Sequence, residues 1–426
     1  MSAISSTPKE RISVTDVPLL TDRTVLIICQ GNLRFFIDAL REVKSDHTFA
    51  VTCREEEVYG LDSLLKTVKY VNEYFNSSEV DTACYSILRE NKIERIIATS
   101  ETDILRAAKL RDLFRIPGQT FESALFFRDK ILMKERLSTH GIKVPFFKRV
   151  NSPLDVFEFI EAHSYPCIIK PARGYGSVKT TVLHNPGDLE CFFKTTSCFN
   201  EFLETNLDIE KYIPADMYHI DGIIRDGKII AIWPSKCINT CLAMTTGAPT
   251  GSYLLSTQNP LVPRLIRFAE EVLTALPTPV DTGFHLELFW DEKECTFCEI
   301  ASRIGGPWIN DLWVHGMGFD LKNEFVRAQA SLPTRYSSPV TQKSLVGGMI
   351  FPRQRGIVQA IPSFCDLDGV IQYTSFIHPG DRLNTPNGML DHILAFTFTA
   401  PSEEALERKI EDIHQWVQEK VRILPA

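Results

Sequence analysis

The chain has 426 residues, of which 44% are hydrophobic and 23% charged, a globular composition with enough length for two or three packed units. A formal net charge of -8 and the lack of a basic run argue against a nucleic-acid partner, because phosphate binding needs clustered Lys and Arg. No apolar run approaches the roughly 20 residues that span a bilayer. Residues 1–10 lack the pattern of a secretory signal, and the 11 scattered cysteines are typical of reduced thiols and not of a disulfide framework. We therefore expect a cytoplasmic protein with no membrane partner.

Strand and helix patterns alternate over the first part of the chain, which predicts an open parallel α/β domain at residues 1–122. Gly31 follows the first strand without the further glycines of a dinucleotide-binding turn, and no P-loop sequence occurs, so neither nucleotide motif is present. The patterns are strand runs at 24–29, 49–53 and 93–99 and a helical repeat at 104–114.

The middle of the chain, residues 123–330, is predicted to form a second domain. A helix begins at Asp129-Lys130 and ends at Gly141, and short strands and helices follow. Asp226-Gly227 accepts positive φ and predicts a hairpin. The glycines and proline of residues 242–252 predict a loop.

Residues 331–426 are predicted to form a β-rich C-terminal domain that closes the site. Apolar runs at 345–351 and 393–399 predict strands, and residues 403–421 repeat at helical spacing.

The first segment that indicates chemistry is a strand that ends at Lys170 and runs into a turn with Gly174 and Gly176. Glycines would let backbone N–H groups close over phosphate oxygens, and the lysine would supply the opposite charge. An ordinary hairpin with a surface lysine is the alternative.

The second segment, residues 210–216, is extended and carries an acid at each end, Glu210 and Asp216. Backbone groups of such a segment can hold a purine edge, and a carboxylate can accept hydrogen bonds from ribose hydroxyls. A polar linker into a strand is the alternative.

The third segment contains two alternating runs around a polar turn. A hairpin centred on Lys293 would place Glu287 opposite Glu299, on the face away from Leu288 and Cys298, with Cβ atoms about 4.5–5.5 Å apart. Two such carboxylates repel unless a cation lies between them, and oxygen ligands suit Mg²⁺ that bridges ATP phosphates. The alternative is that one Glu faces solvent.

Arg303, Gly305 and Gly306 follow the second acid, so a guanidinium lies near the predicted metal and could hold a carboxylate or a phosphoryl group. Cys295 and Cys298 form a C-x-x-C without a second pair at zinc spacing, which argues against a zinc site.

In this order and spacing, the segments resemble the ATP-grasp superfamily of carboxylate-amine ligases. Many relatives have Asn where this chain has Ala301, and residues 299–306 look most like the bacterial L-amino-acid ligases, which make dipeptides, and their antibiotic-pathway relatives. The resemblance implies an ATP-grasp fold with a mobile lid at about 146–206 and dimerisation through the N-terminal domain. The matching segments are Asp129-Lys130 with Gly141 to Pro145, Lys170-Pro171 with Gly174 to Ser177, Glu210 to Asp216, and Glu287 with Glu299 and Arg303.

The resemblance also implies roles for individual residues. ATP phosphates would contact Lys130 and Lys170 under a loop of Gly174, Tyr175, Gly176 and Ser177; adenine would meet Glu210, Lys211, Tyr212 and Ile213, and ribose would meet Asp216. Glu287 and Glu299 would hold Mg²⁺, with Mn²⁺ as an alternative ion. Arg303, Lys170 and His285 would serve catalysis, and His285, Arg303, Gly306, Trp308 and Asn310 would contact the substrates.

The expected activity is an ATP-dependent ligase that phosphorylates an amino-acid carboxylate and couples the acyl phosphate to the amine of a second amino acid. Its partners would be small-molecule carboxylates and amines. Two alternatives stay open: an ATP-grasp carboxylase that uses bicarbonate, and a non-catalytic ATP-binding regulatory protein.

Overall fold

The computed structural model describes residues 21–31, 33–53, 61–75, 78–195, 206–306, 308–336, 340–385 and 391–425. Residues 1–10, which lack a secretory pattern, lie outside these ranges. Within the described ranges, no helix is long and apolar enough to cross a membrane.

The N-terminal sheet is parallel, with strand order β3-β2-β1-β4, which confirms the expected α/β class. Along β1, Val25 and Ile27 pack into one core while Leu26 and Ile28 pack into another, because both faces of the sheet are covered. The elements are β1 (Val25–Cys29), α1 (Ile37–Leu40), β2 (Thr48–Thr52), β3 (Thr67–Tyr70), α2 (Glu79–Glu90), β4 (Arg95–Ala98), α3 (Ile104–Phe114), α4 (Phe121–Phe126) and α5 (Lys130–Thr139), with 3-10 turns at Leu33–Phe36, Ser45–His47 and Asp62–Leu64.

A small antiparallel sheet, with order β5-β8-β6-β7, follows α5 and has its own hydrophobic core. Asp129 caps the N-terminus of α5 by accepting from the backbone N–H groups of Ile131 and Leu132. We call this part the lid sheet; its elements are β5 (Phe147–Val150), α6 (Pro153–His163), β6 (Cys167–Pro171), β7 (Thr181–Leu183), α7 (Pro186–Thr195) and β8 (Leu207–Lys211).

The main sheet is antiparallel, with order β13-β12-β9-β10-β11-β14-β18-β16, in which β14 (Leu345–Pro352), β16 (Val370–Ser375) and β18 (His392–Ala400) come from the last part of the chain. The predicted hairpin is present, and Asp226 and Gly227 both have positive φ, at 49° and 72°. The elements of this part are β9 (Asp216–Arg225), β10 (Lys228–Asn239), a 3-10 turn at Cys241–Thr246, β11 (Thr250–Leu254), α8 (Val262–Ala275), β12 (Thr282–Trp290), β13 (Cys295–Ala301), α9 (Ile309–Met317) and α10 (Leu321–Ala330).

The predicted loop at 242–252 is wrong in its last part, since Thr250–Leu254 forms β11 inside the main sheet. This strand pairs with β10 on one side and with the later strand β14 on the other. Backbone pairing on both sides thus overrides the loop-forming tendency of the local glycines and proline.

The last part of the chain completes the main sheet. The predicted boundary at residue 330 lies at the end of α10, and the main sheet continues across it through the pairing of β11 with β14. The elements are β14 (Leu345–Pro352), β15 (Gly356–Ala360), β16 (Val370–Ser375), β17 (Arg382–Leu383), β18 (His392–Ala400), α11 (Glu403–Lys420) and β19 (Arg422–Leu424).

We predict that Gly251→Ala destabilises the protein at this junction. A Cβ on Gly251 would lie 2.0 Å from the carbonyl oxygen of Gly348 on β14, and backbone cannot move aside easily. We expect urea unfolding to show a loss of about 1–3 kcal/mol. Gly31→Ala is the matched control, because its Cβ meets nothing within 4 Å; equal stability of the two variants would contradict the β11–β14 pairing.

Candidate active site

Two adjoining cavities lie between the lid sheet, the main sheet and the N-terminal sheet. The first brings together nearly all of the predicted nucleotide-binding residues: Lys130, Lys170, Gly174, Tyr175, Gly176, Ser177, Glu210, Lys211, Tyr212 and Ile213. The second, of about 320 Å³, contains His285, Arg303 and Gly306. Glu287 and Glu299 line both cavities, so the two acids mark the junction.

Asp216 corrects one expectation, because it lies outside the lining of the first cavity. It is the first residue of β9, where side chains alternate between faces, and its neighbours Ala215 and Met217 line the cavity instead. The exposed Asp216 carboxylate is 3.3 Å from Lys236 Nζ.

Glu287 and Glu299 pair across β12 and β13, as predicted, but a bulge produces the register. Nearer the turn Leu288 pairs with Phe297, so an uninterrupted ladder would place Cys298 opposite Glu287. The extra residue, Cys298, restores the pairing of the two acids.

The bulge also corrects the expected position of Cys298, which lines the first cavity together with the two acids. Burial raises the pKa of the Cys298 thiol well above its usual value, so the thiol stays protonated at neutral pH.

Each of the two acids has a cationic or polar partner. Lys130 Nζ is 2.7 Å from Glu299 Oε2 and donates to the Gly174 carbonyl at 2.8 Å. His285 Nε2 is 3.3 Å from Glu287 Oε1. Burial favours a higher pKa for Glu287, but the hydrogen bond and charge of His285 lower it below its usual value, so the carboxylate stays ionised. Two paired carboxylates in a cavity that also contains Lys130 and Lys170 fit a divalent ion with its phosphate ligands.

Arg303 is held by an acid of the N-terminal part of the chain. Glu101 accepts hydrogen bonds from both Arg303 and Arg128. Burial would raise the pKa of Glu101, but Arg303 and Arg128 lower it to about 2. This bridge fixes the guanidinium of Arg303 at the second cavity.

A buried cluster of His219, Asp221 and His285 lies behind the second cavity. Asp221 oxygens are 2.6 Å from His219 Nδ1 and 2.8 Å from His285 Nδ1. Burial lowers the pKa of His285, but Asp221 raises it, to about 9, so the imidazole is protonated at neutral pH. Sequence reasoning missed His219 and Asp221, although their i, i+2 spacing within an apolar strand was a usable signal.

Two predicted substrate residues, Trp308 and Asn310, line neither cavity. Trp308 packs in a hydrophobic core with Leu312, and the buried Asn310 Oδ1 accepts from the Lys322 backbone N–H at 2.9 Å. Their position at the start of α9 turns both side chains into the protein, which corrects the expectation that they contact substrates.

A buried charge network connects the first cavity to α5. Lys134 is fully buried and donates to both Asp208 and Glu210 on β8. Glu210 also binds Lys170, at 2.9 Å. Burial raises the pKa of Asp208 to about 7. Burial would raise the pKa of Glu210 too, but the charges of Lys134 and Lys170 hold the pKa of Glu210 below its usual value. Sequence reasoning missed Lys134 and Asp208, although Lys134 lies one turn after Lys130 on the same helix face.

Comparison with known proteins finds a sequence relative that matches more than half of the chain. The chain is 30% identical over 246 residues to the L-arginine-specific L-amino acid ligase of Bacillus subtilis, a match that spans 57% of this chain and 59% of that protein. No family model matches the sequence.

Two solved structures have a similar fold over almost the whole chain. The L-amino acid ligase from Bacillus licheniformis has a TM-score of 0.73 at 16% identity and covers 95% of this chain and 99% of its own. The carboxyaminoimidazole ribonucleotide synthase from Aspergillus clavatus, complexed with ATP, has a TM-score of 0.70 at 13% identity and covers 93% and 99%. The fold is therefore the ATP-grasp fold.

We predict that Lys134→Met destabilises the protein by about 3–5 kcal/mol, because it leaves Asp208 and Glu210 buried without their shared cation. Urea unfolding would measure the change. The matched control is Lys143→Met, since Lys143 pairs with Glu294 at the surface and should contribute less than about 1 kcal/mol. Similar losses in the two variants would argue against the network.

Proposed function

We propose that this chain, which belongs to the ATP-grasp superfamily of carboxylate-amine ligases, phosphorylates an amino-acid carboxylate and couples the acyl phosphate to the amine of a second amino acid. The observation that carries the proposal is the junction of the two cavities. Glu287 and Glu299 lie where a nucleotide in the first cavity would meet a carboxylate in the second.

In the first step, a carboxylate oxygen of the donor attacks the γ-phosphorus of ATP, and the bond to ADP breaks. Lys130 and Lys170 line the first cavity and would neutralise the charge on the phosphates. Glu287 and Glu299 would hold Mg²⁺, which supplies further charge neutralisation and orients the phosphates when bound. Arg303 would grip the carboxylate and then the acyl phosphate.

In the second step, the acceptor's neutral amine attacks the acyl carbon. The new C–N bond forms, the bond from carbon to phosphate oxygen breaks, and phosphate leaves as the nitrogen loses its proton. The protonated His285 and Arg303 line the second cavity, where the carbonyl oxygen gains negative charge in this step. Positive groups fixed at that place stabilise the transition state.

The second cavity favours an organic acid over bicarbonate as the group that is phosphorylated. Its wall includes Phe35 and Phe36 as well as Arg303 and Lys322, and Lys322 Nζ lies 4.1 Å from the centroid of the Phe35 ring. Aromatic rings can contact the side chain of an amino acid, whereas they offer nothing to the small, polar bicarbonate ion. The sequence relative is named for an amino-acid substrate, which agrees with this choice. Carboxylation remains the second candidate because the fold is shared with a carboxyaminoimidazole ribonucleotide synthase.

The test is phosphate release from Mg-ATP by the purified protein with pairs of the twenty amino acids, with products identified by mass spectrometry. We expect release that requires an amino acid and yields a dipeptide mass. Release that requires bicarbonate would favour the carboxylase, and tight ATP binding without turnover on any substrate would favour a regulatory protein.

We further predict that Arg303→Ala lowers kcat by about 100-fold or more, because the charge that develops in both steps loses a fixed cation. Binding of a non-hydrolysable ATP analogue, measured by calorimetry, should change little, since Arg303 lines only the second cavity. Arg303→Lys serves as the matched variant; it keeps the charge without the planar fork and should recover part of the rate. Full turnover by Arg303→Ala would contradict the assigned role.

A further inference from the structure

A third cavity lies apart from the active site, between β4, α3, the turn that precedes β12 and the end of α10. Its volume of about 130 Å³ greatly exceeds the roughly 10–15 Å³ that one water requires. None of its lining residues lines either active-site cavity. Its polar lining includes Arg95, Arg111, Gln119, Asp281, Ser302 and Gln329.

Arg111 brings a buried positive charge to this cavity. It is 4% exposed, and its guanidinium donates to the Ile96 carbonyl at 2.7 Å and to Gln329 Oε1 at 3.2 Å. Burial lowers the pKa of Arg111 to about 10, so the group is still charged at neutral pH. Its hydrogen-bond acceptors are neutral, and no carboxylate in the described part of the chain forms an ion pair with it.

Arg95 adds a second guanidinium to the lining of this cavity. It donates to Ser331 Oγ at 2.9 Å and to the Glu94 carbonyl at 2.7 Å, and no described carboxylate forms an ion pair with it. The partners of the two arginines are neighbours in the sequence. Arg111 donates to the carbonyl of Ile96, the residue after Arg95, and to Gln329, which lies two residues before Ser331, the partner of Arg95.

Glu94 attracts Arg95 and Asp112 attracts Arg111 electrostatically, but neither acid lines the cavity or forms an ion pair with these arginines among the described residues. Asp281 is the one acid in the lining, but it is 3.3 Å from Arg225 Nε and accepts from the Asp226 backbone N–H at 3.1 Å. The C-terminal end of α10 contributes only a partial negative charge, about half of an elementary charge. The lining therefore contains two guanidinium groups and one carboxylate, which is already paired with Arg225.

We propose that this cavity is a binding site for a small anion with a phosphate or carboxylate group. Guanidinium groups match both anions through paired N–H donors. The Ser331 hydroxyl lies in the same lining; it accepts a hydrogen bond from Arg95, and its own proton can be donated to an anion oxygen.

The test is equilibrium dialysis of the full chain with radiolabelled inorganic phosphate and, separately, with radiolabelled succinate. Saturating Mg²⁺ and a non-hydrolysable ATP analogue keep the probes out of the nucleotide cavity, and Arg303→Ala reports any binding in the second cavity. We expect one site that survives both conditions. Arg95→Gln and Arg111→Gln should each weaken it at least about tenfold, the effect of losing a charged hydrogen-bond donor. The exposed Arg89 on α2, changed to Gln, is the matched control.

The outcomes separate this site from the active site. Binding of either probe that depends on Arg95 supports the proposal, and the tighter probe identifies the anion class. The proposal would be overturned if binding disappears with the ATP analogue or with Arg303→Ala but is unchanged by Arg95→Gln. That result would place the anion in the active site. Absence of binding for both probes would also overturn it. If Arg111→Gln fails to fold, the half-buried Arg95 gives the decisive variant.

Discussion

The buried ion pairs of Lys134 set the geometry of the first cavity. Removing an ion from water costs several kcal/mol, and the cost is offset only when every member of the cluster keeps its partner. Lys134 meets this condition by binding Asp208 and Glu210 together. Because Glu210 also binds Lys170, the position of a predicted phosphate-binding lysine depends on a lysine that does not line the cavity.

The helix α5 also connects the lid sheet to the main sheet. Lys130 and Lys134 are one turn apart and share a face of the helix. Lys130 pairs with Glu299 on β13, whereas Lys134 pairs with residues of β8. The acids at the cavity junction and the lid sheet are therefore aligned through one rigid element, and a change in the tilt of α5 would move both sides of the nucleotide cavity.

The sequence predicted the elements and segments whose signals are local. The turn after Lys170 and the Asp226-Gly227 hairpin depend on neighbouring residues, and both appear where the patterns place them. Partners distant in sequence could not be predicted this way. The pairing of Lys134 with Asp208 requires α5 to pack on β8, and the pairing of Glu101 with Arg303 requires the N-terminal sheet to meet the main sheet.

The bulge at Cys298 illustrates the same limit. A hairpin centred on Lys293 pairs the correct two acids, but the residues near the turn pair in a different register. No sequence pattern revealed that Cys298 is an additional, bulged residue. Asp216, Trp308 and Asn310 were misplaced for a related reason: spacing along the chain does not fix which way a side chain turns at the first residues of a strand or helix.

The other fully buried arginines of the described residues lie against carboxylates. Among the described residues, Arg128 is buried against Glu101, and Arg327 is buried against Glu42. Arg111 is as buried as these two, yet its hydrogen-bond acceptors are neutral oxygens, and it lines a cavity that also contains Arg95. Since burial of a guanidinium without a counter-charge destabilises the folded protein, the exception requires either a compensating anion or a stability cost that the other arginines avoid. The cavity has space for the anion. The buried charge of Arg111 therefore points to a ligand, and not only to the hydrogen bond that Arg111 of α3 makes with Gln329 of α10.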